Sequence, residues 1–384
     1  MSASETILLL LVATVFYVYV GYPALLWMLS RLRRRPVRKA AYYPCVTIII
    51  SAHNEAAAIR QTIENKLELD YPREQMEIIV VSDGSTDGTD EIVRTLAQSG
   101  VHLIRQEPRQ GKTAALNRAV TEAKGEILAF SDANSLWDKS ALRELVSNFA
   151  DPDVGYVSGR MEYTAPMDSH VAGGSSRYMR YENRLRELES AIGSIVGVDG
   201  GIDAVRRTLY EPMHPSLLPD LVLPLCVVEK RRRVVYEPSA ILNEESLTRT
   251  DEEYRMRIRV ALRAFHALWH KKALFNPFRF GFYSLQLLSH KVLRYLVGYI
   301  MVAILFCSIA IQEPWSLAFA GLQGLGYGLA LVGLWQNRSN RVQRGFRYPF
   351  YFCLINLASA VAFLKFLMGQ RLVVWNPRRG EESS

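Results

Sequence analysis

The sequence predicts an α/β protein that has a mostly parallel central sheet and is flanked by transmembrane helices. Strand-like runs alternate with helical patterns from about residue 41 to residue 270, and long uncharged apolar stretches lie near both ends. The chain is 49% hydrophobic and 22% charged, which excludes a disordered protein. Its four cysteines are isolated, so neither a disulfide scaffold nor a Cys-x-x-Cys metal site is expected.

The first predicted element is a membrane anchor over residues 1–32. No charged residue occurs between Thr6 and Ser30, and this run exceeds the roughly 20 helical residues that cross a bilayer. A cleaved signal peptide is the alternative, but the acidic start and the long apolar run argue against it. Cations crowd the segment from Arg31 to Lys39. The positive-inside rule therefore predicts an external N-terminus and a cytoplasmic domain, in a multi-pass protein of the inner (plasma) membrane.

Residues 41–270 form the predicted soluble domain. Continuous β-branched runs without polar alternation are typical of strands that are covered on both faces, as in a parallel sheet. Helical patterns lie between and after these runs, which favours strand–helix–strand units. The predicted strands are 45–52, 77–83, 101–104 and 125–132, and the predicted helices are 55–69, 89–98, 112–123 and 140–149.

Polar, acidic residues follow three of the predicted strands. Ligands of parallel α/β sheets bind at the carboxyl ends of the strands, so Glu55, Asp83 and Asp132 are expected to converge at one edge. Helix capping is the alternative for single residues, and Asp87 and Thr89 fit it well. Asp132 and Asn134 offer two oxygen ligands at i and i+2, which suits a hard divalent cation.

The C-terminal part is predicted to be membrane-embedded. Residues 271–294 mix aromatic residues with cations and are expected to lie in the interface. Residues 295–370 hold about three apolar transmembrane helices, followed by a tail at 371–384. Counting three crossings leaves this tail outside, although Arg371, Arg378 and Arg379 favour the cytoplasm.

The formal net charge of +8 has its clearest concentration beside the first predicted membrane helix. A basic balance can indicate nucleic-acid binding, but cations that flank apolar spans are typical of contact with membrane lipids. Membrane lipids are therefore predicted partners, and nucleic acid is not.

Six short motifs in fixed order carry a family resemblance. They span most of the domain, and each is weak alone: 52–55 (AHNE), 83–89 (DGSTDGT), 111–117 (GKTAALN), 131–134 (SDAN), 197–201 (GVDGG) with 206–207 (RR), and 220–225 (DLVLPL). Together they resemble the membrane-bound, processive-type glycosyltransferases of family 2, the group that contains hyaluronan, chitin and cellulose synthases and bacterial exopolysaccharide enzymes.

The resemblance implies a GT-A (nucleotide-diphospho-sugar transferase) fold and inverting transfer of a sugar from a nucleoside diphosphate sugar to a growing extracellular polysaccharide. It implies that Asp220 is the general base and that Asp132 and Asn134 bind Mg²⁺ or Mn²⁺. The implied donor-binding residues are Ala52, His53, Glu55, Asp83, Lys112 and Asp132, and those implied to contact acceptor or diphosphate are Gly200, Arg255 and Arg257.

Three positions depart from the family pattern. Pro219 replaces the first acid of an acidic pair, Asn134 replaces the second Asp of a D-x-D motif, and Ile258 stands where a Trp helps to seat a growing chain. Two alternatives therefore remain open: transfer of one sugar to a lipid carrier, and a silent nucleotide-sugar-binding subunit of a synthase complex. For Arg255 and Arg257, the alternative is a cationic helix face near lipid headgroups. The acceptor is thus a glycan or a lipid-linked molecule, and export or synthase proteins are candidate partners.

Overall fold

The computed structural model describes residues 2–164, 170–245, 249–337 and 343–373, and a single mixed sheet of eight strands organises its central part. The strands are β1 (Val46–Ala52), β2 (Met76–Asp83), β3 (Val101–Gln106), β4 (Ile127–Asp132), β5 (Leu136–Trp137), β6 (Val154–Thr164), β7 (Asp203–Arg206) and β8 (Arg233–Glu245). Their order across the sheet is β3-β2-β1-β4-β7-β6-β8-β5.

Twelve helices of the described residues complete the fold, leaving aside single-turn 3₁₀ segments. They are α1 (Ala3–Leu32), α2 (Ile59–Leu67), α3 (Thr89–Thr95), α4 (Lys112–Glu122), α5 (Ala141–Ser147), α6 (His170–Ile192), α7 (Pro219–Glu229), α8 (Thr250–His270), α9 (Pro277–Phe280), α10 (Phe282–Ile311), α11 (Pro314–Asn337) and α12 (Gly345–Leu367).

The parallel half of the sheet contains the predicted strands. β1 pairs in parallel with β2 and β4, and β2 pairs in parallel with β3. Alternate residues of β1 enter two different cores, with Ile49 in one and Ile48 and Ile50 in the other. Both faces are thus buried, which is why these strands are continuously apolar in sequence. The predicted α/β class with a mostly parallel sheet is confirmed.

The other half of the sheet brings a second set of loops to the site. β7 runs antiparallel to β4 and to β6, so the loop that precedes it ends beside the carboxyl end of β4. β8 pairs in parallel with β6 and leads back towards α8. The short antiparallel strands β5 and β7 have no strong sequence pattern, because each is only a few residues long.

The helix predicted from residue 55 begins later than expected, at Ile59. The chain bends and turns between β1 and this helix, and Asn54 there adopts a left-handed backbone with φ of 54°. Asn is one of the few residues that tolerate this conformation. The prediction of residues 55–58 as helical is therefore wrong, because the chain turns at the strand end before the helix starts.

Within the part of the chain that the structure describes, four helices are long and apolar enough to cross a membrane: Ala3–Leu32, Phe282–Ile311, Pro314–Asn337 and Gly345–Leu367. The second begins well before the predicted boundary at residue 295, so part of the expected interfacial segment belongs to this continuous helix. The short helix before it holds Phe278, which is completely exposed. Arg338 and Arg341, which stand between the last two of these helices in the sequence, lie outside the described residues.

Helix α12 packs beside α8 of the central domain. Arg257 donates to the hydroxyl of Tyr351 over 2.9 Å, and Phe265 stacks against Phe366 with ring centroids 5.7 Å apart. One turn further on, the ring of His266 bonds to the main-chain oxygen of Gln370 at 2.8 Å. The two helices therefore run side by side in the same direction.

Candidate active site

The turn after β1 is joined to the turn after β2 by a set of hydrogen bonds. The main-chain N–H of Glu55 donates to the hydroxyl of Thr89 over 3.0 Å, and that of Ala56 donates to a carboxylate oxygen of Asp87 over 3.0 Å. The ring Nδ1 of His53 lies 2.7 Å from the main-chain oxygen of Asp83. Asp87 and Thr89, for which helix capping was the alternative, thus accept hydrogen bonds that link the turn after β2 to the turn after β1.

Asp83 organises a third loop at the same edge. Its carboxylate is nearly buried and accepts hydrogen bonds from the side chain of Gln106 (2.6 Å) and the main-chain N–H groups of Gln110 (2.8 Å) and Gly111 (2.7 Å). A carboxylate has about four lone-pair positions, so further donors can still approach it. This contact fixes the start of α4 and, with it, Lys112.

Lys112 sits between two carboxylates that come from distant parts of the chain. Its Nζ lies 2.6 Å from Oδ1 of Asp132 at the end of β4 and 3.7 Å from Oδ1 of Asp220 in the first turn of α7. Burial works against the cation, but the charges of Asp132 and Asp220 outweigh it and raise the pKa of the lysine. Burial raises the pKa of the Asp220 carboxyl, and Lys112 opposes that shift. The side chain of Asp220 is 23% exposed, so a ligand can reach it.

Gly200 and Gly201 place the loop before β7 against these acids. Their φ angles are +78° and +73°, in the region that favours glycine. A Cβ at Gly200 would lie 2.8 Å from Cγ of Asp220, and one at Gly201 would lie 3.0 Å from the hydroxyl of Ser135. The absence of side chains therefore lets the loop backbone approach the Asp220 carboxylate and the turn that follows Asp132.

Two charged residues near this cluster were not among the predicted site residues. Asp203 on β7 is buried, accepts a hydrogen bond from Tyr156, and has its other oxygen without a described partner. Burial, and after it the charge of Asp220, raise the pKa of Asp203 to about 8.

Arg263 on α8 donates to Thr113 over 3.0 Å and to the main-chain oxygen of Leu217, just before α7. The positive charge of Arg263 interacts with the carboxylate of Asp220. Nothing in the sequence was a reason to select Arg263, because it is one of several arginines in α8.

The protein groups fit a divalent cation only in part. Asp132 and Asn134 contribute a carboxylate and an amide carbonyl, and both side chains are half-buried. Within the described ranges there is no group of three or more His, Cys, Asp or Glu that could hold a metal ion. Mg²⁺ and Mn²⁺ accept such a set when phosphate oxygens and waters complete the coordination. The donor set thus fits a cation that arrives with a diphosphate.

The two predicted arginines of α8 lie elsewhere on that helix. Arg255 has a side chain that is 79% exposed and pairs with Asp251 at 3.6 Å. Arg257 pairs with Glu253 at 2.9 Å and stands over the ring of Tyr178 at 5.0 Å. The contacts described for these two arginines do not reach Asp132 or Asp220, and α8 touches the site through Arg263 instead.

The segment after α12 returns to the site. A Cβ at Gly111 would lie 2.6 Å from the main-chain oxygen of Val373, so the chain crosses directly over the start of α4. Gly111 also has φ of +91°, so both its backbone conformation and the close approach of Val373 favour glycine at this position. The later residues of the tail, including Arg378 and Arg379, lie outside the described part of the chain.

Comparison with known proteins identifies the domain. Residues 47–211 match the family model described as Glycosyl transferase family 2. The probable glycosyltransferase YdaM of Bacillus subtilis is 27% identical over 264 residues, which is 62% of each chain. A beta-monoglucosyldiacylglycerol synthase of Nostoc is 30% identical over 43% of this chain and 36% of its own length. A poly-beta-1,6-N-acetyl-D-glucosamine synthase of Staphylococcus aureus is 31% identical over 30% and 28%, respectively.

A solved structure resembles nearly the whole chain. The mannosyltransferase PcManGT from Pyrobaculum calidifontis, in complex with GDP-Man and Mn²⁺, superposes with a TM-score of 0.73 at 25% identity, over 96% of this chain and 99% of that one. The chain therefore contains a family 2 glycosyltransferase domain with a GT-A fold, as the resemblance implied. It spans 62% of the length of YdaM and less of the other two relatives.

Proposed function

We propose that this protein is a membrane-bound, inverting glycosyltransferase that moves a sugar from a nucleoside diphosphate sugar to an acceptor held at the membrane. The observation that carries the proposal is the convergence of Lys112, Asp132 and Asp220 at the carboxyl edge of the sheet. Donor recognition is assigned to the turns of β1 and β2, through Ala52, His53, Glu55 and Asp83.

Each residue of the cluster has a separate task. Asp220 accepts the proton of the attacking acceptor hydroxyl, a role that suits a carboxylate whose pKa is raised by burial. Lys112 places a positive charge where the diphosphate departs. Asp132 and Asn134 would hold Mg²⁺ or Mn²⁺, which supplies further charge stabilisation to the leaving group. Gly200 leaves the space in which the acceptor hydroxyl meets Asp220.

Two acceptors are compatible with this chemistry. A growing polysaccharide is implied by the family resemblance, and one partial relative is named as a polysaccharide synthase. Transfer of a single sugar to a lipid-linked acceptor is favoured by a specific feature, a groove of about 1460 Å³ between α8, α10, α11 and α12. Its walls include Met301, Leu331 and Leu357, and Thr250 and Asp251 at the start of α8 add polar groups. Such a groove suits an amphiphile with an apolar chain and a polar head.

The family tryptophan position supports the same second candidate. Ile258, like Phe363 and Phe366, packs against the buried cluster of α8 and α12 that includes Phe265 and Ala362. Its side chain thus contributes to helix packing. Because Ile258 has no aromatic ring, it cannot stack on a sugar and so cannot help to hold a long glycan.

The membrane arrangement that we propose has α12 lying along the interface rather than crossing it. Asn337, before α12, bonds to Thr250 of α8 over 3.0 Å, and Gln370, after α12, bonds to His266. Both ends of α12 are therefore beside the catalytic domain. With α1, α10 and α11 crossing, the tail remains on the catalytic side, which is cytoplasmic by the positive-inside rule. A cytoplasmic tail then agrees with the positive charge of Arg371, which counting three C-terminal crossings did not allow.

The proposal is tested with purified protein in nanodiscs and a panel of radiolabelled UDP- and GDP-sugars. Each donor is incubated with Mg²⁺, with Mn²⁺ and with EDTA, in the presence of extracted bacterial lipids as acceptors. Products are separated by solvent partition and by gel, and their anomeric configuration is read by NMR. Metal-dependent transfer from one donor, with inversion, is the expected result.

The product then decides between the acceptors. A high-molecular-weight smear would establish polysaccharide synthesis, and one lipid-soluble product would establish transfer to a lipid. Nucleotide-sugar binding without transfer from any donor would contradict the proposed activity and would support the silent-subunit alternative. Retention of the anomeric configuration would contradict the role given to Asp220.

A further inference from the structure

Lys66 of α2 is fully buried directly behind the turn that carries Asp132 and Asn134. Among the described residues, no acidic side chain forms an ion pair with its amine. Its Nζ donates to the main-chain oxygen of Ser135 over 2.6 Å and to the amide oxygen of Asn65 over 2.9 Å. It also lies 4.8 Å from the ring centroid of Trp137. Burial lowers the pKa of the Lys66 amine well below its ordinary value, and a buried amine is costly unless it is hydrogen-bonded, so its retention requires a reason.

The same face of α2 binds the rest of that turn. The hydroxyl of Thr62, which is 1% exposed, donates to the main-chain oxygen of Ala133 over 2.7 Å. Asn65 accepts from the main-chain N–H of Trp137 (2.8 Å) and donates to its main-chain oxygen (2.9 Å). Thr62, Asn65 and Lys66 together form what we call the α2 clamp. The clamp thus forms hydrogen bonds with main-chain groups of Ala133, Ser135 and Trp137, which lie between and after Asp132 and Asn134.

The position of the clamp connects two parts of the site. Helix α2 starts at Ile59, just after the turn that contains His53 and Glu55, and its first turn carries Thr62. The helix thus leads from the donor-binding turn after β1 to the turn after β4. The side chain of Asp132 is directed away from the clamp, at Lys112.

We propose that Thr62, Asn65 and Lys66 are positioning residues that preset the 132–135 turn for the divalent cation and the donor diphosphate; this inference rests on the proposed function. None of the three contacts the reacting atoms. They act by fixing the backbone on which Asp132 and Asn134 stand, as residues behind metal ligands do when they fix the orientation of those ligands.

The test compares two threonines of the same strand–helix layer. Thr62→Val and Lys66→Met remove donors of the clamp, and Thr62→Ser retains the hydroxyl. Thr47→Val is the matched control, because Thr47 is equally buried and its hydroxyl bonds to Glu77 (2.6 Å) and the N–H of Gly125 (2.8 Å), but it lies at the end of β1 that is remote from the site.

Mn²⁺ binding is measured by EPR titration of the full chain, in the presence of UDP and, in parallel, GDP. Thermal unfolding midpoints and nucleotide binding in EDTA are measured alongside.

We expect Thr62→Val and Lys66→Met to raise the Kd for Mn²⁺ about tenfold, the lower end of the range for residues that orient metal ligands. Thr62→Ser and Thr47→Val should keep the wild-type Kd, although Thr47→Val lowers the unfolding midpoint. Nucleotide binding in EDTA should be unchanged in all variants.

Equal Mn²⁺ affinity in the clamp variants and the wild type would overturn the inference, and so would an equal loss in Thr47→Val. If Lys66→Met does not fold, Thr62→Val against Thr62→Ser still decides it. A wild type that transfers sugar but binds no Mn²⁺ in either nucleotide would overturn the metal site and the clamp together while leaving the transferase activity standing. A wild type that binds Mn²⁺ but transfers no sugar would contradict the proposed function and leave the clamp to be judged by the Kd values.

Discussion

The contact between Gly200 and Asp220 makes a sharp test of the proposed base. In Gly200→Ala, the new Cβ would lie 2.8 Å from Cγ of Asp220, whereas ordinary contacts begin near 3.4 Å, so the carboxylate and the loop must separate by at least 0.6 Å. A displacement of about 1 Å of a reacting group can cost about 10²-fold in rate. We therefore expect kcat to fall between about 10-fold and 100-fold, which corresponds to roughly 1.4–2.7 kcal/mol.

Gly100→Ala is the control for backbone strain. Gly100 has φ of +77°, against +78° at Gly200, but a Cβ there would meet only the guanidinium end of Arg73, at 2.9 Å. Alanine in this left-handed region costs about 1–2 kcal/mol at both positions. Thermal unfolding in detergent should thus show similar losses, and initial rates at saturating donor should fall only in Gly200→Ala. Equal kcat values in the two variants would refute the placement of Asp220 beside the reacting hydroxyl.

The remaining predictions concern charge and topology. Lys112→Met removes the cation that lies 2.6 Å from Asp132, so donor binding should weaken at least tenfold in calorimetric titration, and an unchanged Kd would contradict its role at the diphosphate. Asp203 has a pKa raised to about 8, so the folded state favours its protonated form, and the contribution of this carboxyl to wild-type stability should fall as pH rises from about 4 to about 8. Asp203→Asn should lack this part of the pH dependence, and parallel unfolding curves for the two proteins would contradict the burial of an acid there. In a cysteine-free background, Gln370→Cys should react with an impermeant maleimide only from the side of the catalytic domain, and Glu313→Cys only from the other side. Labelling of both from one side would contradict the proposed path of α12.

The sequence predicted the strand-end residues well because parallel α/β sheets impose a simple rule. Continuous apolar runs marked β1, β2 and β4, and the residues that follow each run had to meet at one edge. Asp83 and Asp132 were found in this way. Their neighbours Lys112 and Asp220 came from the family resemblance, since a lysine at a helix start and an aspartate after a proline have no distinctive pattern of their own.

Other features depended on tertiary contacts that no local pattern encodes. Arg263 lies in a helix with several arginines, and only the position of α7 and Thr113 selects it. The return of Val373 to Gly111 depends on how α12 packs against α8, which hydropathy does not report. In the arrangement that we propose, hydropathy alone would also count α12 as a span, because its face towards α8 is apolar.

The clamp illustrates a different limit. A lysine in an amphipathic helix is usually read as a solvated residue, and the sequence around Lys66 is ordinary. Only the fully buried amine and its bond to Ser135 identify its place behind the site. A polar residue that serves the main chain of a distant turn cannot be recognised until the fold brings the two together.

The central claim is that Asp220 takes the proton of the acceptor in a single displacement, and Asp220→Asn tests it most directly. The variant keeps the size of the side chain but cannot act as a base. With the donor and acceptor identified by the transfer assay, we expect turnover to fall by at least 10²-fold, the lower end of the effect of general base catalysis, while Mn²⁺ and nucleotide binding remain. Transfer by Asp220→Asn at a rate within a few-fold of the wild type would contradict the account.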